Sequence, residues 1–341
     1  MATTTSETLR VGEIECSPGR IMLGRLLVGY ERDGAELTLP VILVNGAQAG
    51  PTVYLGALIH GNEPAGAEVI RRVLREQVDP EKLRGSLIGI PIQNPLAYRS
   101  STYHSLDDGL NANRIFPGDP SETLTNRMVA CITSQAVEQS QYIIDFHCNV
   151  ADSILFNFVR WEDSETGRHN LELSRVFGFT SVLSEVKRHG FGFEERLVGL
   201  LADEALARGV PALTVELTPT FNWDEPVIAA GVRGTLNVLR YLKMLDGVPE
   251  PQDERLPIIQ EVLGPQLRVT AERGGFVHPQ ATVGEWVADG EVVAVVRDPC
   301  GDVVEEIRAP AAGYVLSYPH HGNHAAASGD IVVFVAPKHQ T

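Results

Sequence analysis

The sequence predicts an α/β sheet covered by helices on both faces, followed by a smaller all-β domain. Three observations carry this expectation. Apolar runs of strand length alternate with stretches of helical period up to about Leu245. The segment 246–257, DGVPEPQDERLP, is Pro-rich and charged, as linkers are. After it no helical period survives, and short β-branched runs separated by Gly, Asp and Pro take over.

The elements follow in order. Segments 21–28 and 37–44 are short apolar stretches broken by Gly and Asp, and read as strands and turns. Residues 52–59, TVYLGALI, form a continuous apolar run that ends at His60. Val69, Ile70, Val73 and Leu74 then recur at helical spacing, and Pro64 suits a first helical turn. His60 to Glu63 therefore sits between the end of a strand and the start of a helix. A second strand spans 86–92 and stops at Asn94-Pro95. A long polar loop leads to a helix over 121–134. Residues 142–146 make a third strand ending at His147, and 154–159 a fourth. The segments 160–174 and 187–195 read as loops. A helix over 197–208 stops at Gly209. The strand 211–217 carries Glu216 near its end, and a long helix covers 225–245.

The 341 residues exceed the single-domain prior of about 150, which suits two domains, 1–250 and 251–341. Hydrophobic residues make up 43%, a globular composition. Asp and Glu number 44 against 28 Lys and Arg, a net charge of -16. That balance excludes a nucleic-acid partner or an anionic membrane surface, both of which need a basic face. It does not exclude an anionic small substrate, because a few arginines or a metal can dominate one pocket. The four cysteines, Cys16, Cys131, Cys148 and Cys300, form no CxxC pair, so a reducing, cytoplasmic setting is expected. The opening MATTTSETLR lacks the apolar core of a signal peptide, and no apolar run approaches the ~20 residues of a membrane span.

Three apolar strands thus end in residues able to bind a metal: His60 with Glu63, then His147, then Glu216. Ligand sites of α/β sheets lie beyond the carboxyl ends of the strands, so these residues are expected to converge. Two histidines and a carboxylate are the donor set of a catalytic zinc site with one open position. Glu216 is left as a spare carboxylate able to move a proton. Each residue also has an ordinary reading. A histidine at a strand end is commonly hydrogen-bonded, and Glu63 fits a helix start. Glu216 is harder to dismiss, because a carboxylate inside ALTVEL is costly unless paired or functional.

These residues resemble the succinylglutamate desuccinylase/aspartoacylase family, a branch of the zinc-carboxypeptidase-like hydrolases. His60-Gly61-Asn62-Glu63 matches its HGNE signature, and 113–118, NRIFPG, its NRxFPG element. Asp145-Phe146-His147 and Val215-Glu216-Leu217 match the strands that deliver its second histidine and its glutamate. The four motifs come in the family's order within residues 40 to 245. The resemblance implies a mixed sheet flanked by helices and one Zn2+ per subunit on His60, Glu63 and His147. It implies Glu216 as general base and acid, with Arg114 as the clamp on a substrate carboxylate and Asn113 beside it. It also implies an oxyanion-stabilising arginine upstream, for which Arg99 is the one candidate in that loop. The sequence departs from the family at Asn111-Ala112, where Asp-Leu is usual. Cys148, next to His147, reads as a small supporting residue rather than a nucleophile.

The tail resembles the barrel-sandwich fold of biotinyl and lipoyl domains. Its turn 298–302, DPCGD, lacks the lysine of a carrier, so attachment of a prosthetic group is not expected. His320, His321 and His324 cluster in a Gly/Ala loop and read as solvated. Arg160, Arg168, Lys187 and Arg188 are further candidate anion contacts.

The expected function is zinc-dependent hydrolysis of the amide bond of an N-acyl amino acid, with a small-molecule substrate and no nucleic acid or membrane. Assembly into a homo-oligomer stays open. A metallocarboxypeptidase and a non-catalytic binding protein on the same fold are the alternatives.

Overall fold

The computed structural model describes residues 7–149, 152–185, 199–217, 219, 221–319 and 324–339. The segment 187–195 with Lys187 and Arg188, and His320 and His321 of the histidine cluster, lie outside the described residues.

The chain opens with a small hairpin, β1 (Leu9–Val11) and β2 (Ile14–Cys16). The strands expected over 21–28 and 37–44 are present, slightly longer, as the hairpin β3 (Arg20–Tyr30) and β4 (Glu36–Asn45). Then come β5 (Gln48–Ala57), α1 (Ala65–Arg72), β6 (Arg84–Ile90), α2 (Pro95–Ser100), α3 (Leu124–Gln135) and β7 (Tyr142–Cys148). They are followed by β8 (Phe156–Trp161), α4 (Glu165–Phe177), β9 (Thr180–Glu185), α5 (Leu201–Ala207), β10 (Ala212–Leu217) and α6 (Glu225–Tyr241). Strands β3 to β10 form one eight-stranded mixed sheet in the order β3-β4-β6-β5-β7-β10-β8-β9. Its centre, β6-β5-β7-β10, is parallel. That arrangement explains the apolar runs, since a parallel strand is covered on both faces.

The two faces have separate cores. Val69, Ile70, Phe146, Phe177 and Ile228 pack under α1, α4 and α6. Tyr54, Ile88, Phe116, Met128, Ile132 and Leu201 pack under α3 and α5. Each fully buried side chain of this size contributes about 1.5–3 kcal/mol of transfer energy.

Helix α4 corrects the loop expected over 160–174. Ser164 accepts a hydrogen bond from Gly167 N at 3.0 Å to start it, and Gly178, at φ +93°, ends it. Leu171, Leu173 and Phe177 form its buried side. Few apolar residues mark that side, and the flanking charges hid the period.

The tail contains β11 (Leu267–Thr270), β12 (Gly275–Pro279), β13 (Trp286–Val287), β14 (Val292–Arg297), β15 (Val303–Arg308), β16 (Gly313–Ser317), β17 (Ala325–Ala326) and β18 (Ile331–Ala336). They make two four-stranded antiparallel sheets, β11-β18-β16-β13 and β15-β14-β12-β17, around Val277, Val293, Val296, Val315 and Val333. Leu263, Leu316 and Phe334 continue into an apolar cluster with Ile154 and with Phe156 and Val182 of the large sheet. Among the described residues no helix is long and apolar enough to cross a membrane.

Candidate active site

Strand β5 ends at Ala57, and Leu58 then adopts φ +54°, turning the chain sharply into His60. Gly61 admits no side chain, because a Cβ there would lie 2.1 Å from the backbone of Ala97 in α2. Gly66 in the first turn of α1 likewise presses on Phe146, which a Cβ would meet at 2.3 Å. These two close approaches fix the loop that carries His60 and Glu63 against β7, which carries His147.

His60, Glu63 and His147 are 3%, 2% and 4% accessible, and one ligand atom from each lies within 4.8 Å of the others. His60 Nδ1 is 2.9 Å from Glu63 Oε1, and His147 Nδ1 is 3.1 Å from Glu63 Oε2. The outer nitrogens are held as well. His147 Nε2 lies 2.9 Å from Asp145 Oδ2 and 3.4 Å from Asn113 Nδ2, and His60 Nε2 lies 3.2 Å from Asn111 Oδ1. Asn111 thus supports His60 with a neutral amide at the position where the family usually has a carboxylate. Tyr103 stacks on His60 with the ring centroids 3.8 Å apart.

Behind Asp145 a buried chain continues into the sheet. Gln93 Nε2 donates to Asp145 Oδ1 at 2.8 Å, and Tyr54 OH donates to Gln93 Oε1 at 3.0 Å. Asp145 shares a face with His147, two residues on along β7, but its role beside the histidine was not read from the sequence. Gln93, Tyr54 and Tyr103 had no such signal, because only the folded sheet brings them to the histidines.

The charges follow from this packing. Burial opposes the charge of Glu63, but the two imidazoles outweigh it and hold the carboxyl at about 2. Burial lowers His60, and the Glu63 attraction does not fully offset it. His147 also meets burial, yet Asp145 and Glu63 carry its pKa well above the ordinary range. Two imidazoles facing one carboxylate through Nδ1, with a second carboxylate behind His147, form a donor set that calls for positive charge at its centre. A divalent cation fits that demand, and the Asp145–His147 pair is the outer-ligand arrangement common at metal sites.

Glu216 stands directly across from His147 in the parallel β7–β10 register, so both side chains leave the same face. It is partly accessible, yet protein surrounds its carboxyl. Burial pushes its pKa up to about 7, aided by Glu63 and Asp145 and opposed by His147 and Arg114. The folded pKa lies above the unfolded value of ~4.3, so the fold binds this proton more tightly, and stability falls as pH rises between those values. Without a bound cation, Glu216→Gln is therefore expected to be more stable than the parent at pH 8 by on the order of 2 kcal/mol. The gain shrinks toward pH 4.5. Urea unfolding of chelator-treated protein at the two pH values measures it, and no gain at pH 8 would refute the strained carboxylate.

Asn113 is buried, and its Oδ1 accepts from Leu201 N at 2.9 Å. Arg114 Nη1 donates to Asn113 O at 2.6 Å, and the guanidinium is close enough to act on His60 and Glu216. Arg99 is not brought to the cluster. The buried side of α2 is Pro95, Leu96 and Ala97, so Arg99 points outward, 53% accessible, and pairs with Glu31. Arg160 is buried on Asp203 and Ser184, and Arg168 pairs with Asp163 on the surface. Burial holds the Cys148 thiol well above its usual range, which suits neither a nucleophile nor a ligand.

A mixed α/β sheet carries, at its parallel strand ends, a buried histidine–carboxylate–histidine cluster able to hold a metal ion. The succinylglutamate desuccinylase/aspartoacylase catalytic domain matches residues 49–242, and the chain belongs to that family. It is 26% identical over 266 residues to the N-alpha-acetyl-L-2,4-diaminobutyric acid deacetylase of Halomonas elongata, covering 76% of this chain and 74% of that protein. A succinylglutamate desuccinylase/aspartoacylase from Rhodobacter sphaeroides shares the fold with a TM-score of 0.81 at 24% identity, over 97% of this chain and all of that one. The product-bound ectoine utilization protein of Ruegeria pomeroyi superposes with a TM-score of 0.80 at 24% identity, covering 93% and 95% of the two chains.

Proposed function

We propose that this chain is a zinc-dependent deacylase that hydrolyses the amide bond of an N-acyl amino acid. The observation that carries the reading is the preformed His60–Glu63–His147 cluster with Glu216 beside it in register. Those three side chains would hold one zinc ion per chain and leave a position open. When bound, the ion would supply Lewis-acid charge and lower the pKa of a water toward ~7.

The protein's own groups do the rest. Glu216 takes a proton from the attacking water and returns it to the departing nitrogen, a task for which a pKa near neutrality is suited. Arg114 binds the substrate carboxylate as a planar fork, and Asn113, fixed by Leu201 N, sets the register between that clamp and His147. No role at the oxyanion falls to Arg99. Asp145 orients His147 through Nε2, and the Gln93–Tyr54 chain holds Asp145. The Halomonas relative acts, by its name, on an N-acetyl amino acid, which supports this substrate class.

The test is a hydrolysis panel of N-acetyl amino acids, their carboxamides and dipeptides, with and without chelator. Release of acetate from the free acids is expected, lost with chelator and lowered at least tenfold for the carboxamides. Cleavage of dipeptides alone would make the chain a carboxypeptidase instead.

A further inference from the structure

Two aromatic side chains beside the site have no part in the roles above. Phe221 is 68% accessible and Trp223 is 56% accessible. Both stand in the short segment joining β10, which carries Glu216, to α6. Phe221 has φ +58°, the left-handed region that an aromatic residue rarely adopts and that clusters at functional sites.

The chain is tied down at Phe221 and after it. Phe221 N donates to Asn62 O at 3.0 Å, and Asn62 lies between His60 and Glu63. Asp224 accepts from Val227 N at 3.2 Å to start α6, and Glu225 pairs with Arg72 of α1. An apolar surface exposed beside a reaction centre, and tied to it by a backbone hydrogen bond, is a surface prepared for a ligand. The same corner keeps a buried acceptor, Asn62 Oδ1, without a hydrogen-bond partner.

The topology says which part of a ligand arrives there. The loop with Asn113 and Arg114 belongs to the α3/α5 face, where Ala112 and Phe116 are buried. The Phe221 segment leads into α6 on the opposite face, where Val227 and Ile228 are buried. The His60–Glu63–His147 cluster touches both, through Asn113 on His147 at 3.4 Å and through Phe221 N on Asn62 O, between His60 and Glu63. A substrate whose carboxylate is clamped by Arg114 and whose amide is at the cluster therefore extends its acyl end toward Phe221 and Trp223. Asp224, next to Trp223 in the chain, is acidic and offers nothing to hold an acidic acyl group.

We propose that Phe221 and Trp223 form the acyl-binding wall, and that the acyl group taken here is apolar and longer than acetyl. The inference rests on the deacylase reading above and assigns the acyl half of its substrate. It is tested with N-acetyl-, N-butanoyl- and N-hexanoyl-L-alanine on the parent, Phe221→Gly and Trp223→Ala. Glycine suits the φ of position 221, so that variant is expected to fold. The kcat/KM ratio of hexanoyl to acetyl is expected to be at least fivefold in the parent and to fall toward one in both variants. A parent ratio of one or less, or a ratio unchanged in both variants, overturns the proposal. Trp223 emission supplies a readout without turnover. N-Hexanoyl-L-alanine should shift it to the blue at lower concentration than N-acetyl-L-alanine, and Trp223→Phe should abolish the shift. If nothing in the series is hydrolysed, the deacylase reading fails, while the emission still decides the wall: an equal or absent shift overturns it.

Discussion

Glu216→Gln is expected to leave the fold and a bound cation in place and to lower turnover by roughly 10²- to 10⁴-fold, the range ascribed to a positioned acid–base group. The amide keeps the shape of the side chain opposite His147 but can neither take the water's proton nor return it to the leaving nitrogen. Because the loss lies in proton transfer, kcat and kcat/KM should fall together, with KM little changed. Metal content by elemental analysis should match the parent. A variant with full turnover would remove Glu216 from the chemistry, and one that also lost its metal would make it a ligand rather than a base.

The second large effect is expected at Glu63. Its two oxygens face His60 Nδ1 and His147 Nδ1, so it joins the halves of the cluster. Glu63→Ala leaves two buried imidazoles with no shared partner, and removing one member of a buried charged pair costs about 3–5 kcal/mol. Glu63→Gln keeps the volume and removes the charge, so it is the cleaner probe. It should copurify with little or no zinc, hydrolyse N-acyl amino acids at the background rate, and show no thermal shift on zinc titration. Stoichiometric zinc with parental turnover in Glu63→Gln would place the metal elsewhere or remove it from the reaction.

Much of the site could be read before folding was considered, and the reason is specific. The second half of β5 and nearly all of β7 and β10 are buried on both faces, so each is a nearly unbroken apolar run, and the polar residues at or just past their ends stand out. The family motifs then ordered those residues. What could not be read depends on direction or on distance along the chain. Arg99 is close to the site in sequence, but α2 turns it toward Glu31. Asp145, Gln93 and Tyr54 form a connected buried chain although 39 residues separate Tyr54 from Gln93 and 52 separate Gln93 from Asp145. Tyr54 of β5, Asp145 of β7 and Gln93, just past β6, meet because those three strands pair side by side. Helix α4 was missed for a different reason: its caps, Ser164 and Gly178, were legible, but its apolar side is interrupted by charged residues.

The cluster's donors come from the start of α1 and the end of β7, with β6, α2 and α3 between them in the chain. No fragment that lacks one of these strands carries the full set. A cation captured there recognises only a completed sheet and has no comparable grip on the unfolded chain. At a free concentration one hundred times its Kd it would hold the native state by about 2.7 kcal/mol. Metal supply would then set how long each newly made copy survives proteolysis in the cell, quite apart from whether that copy is active.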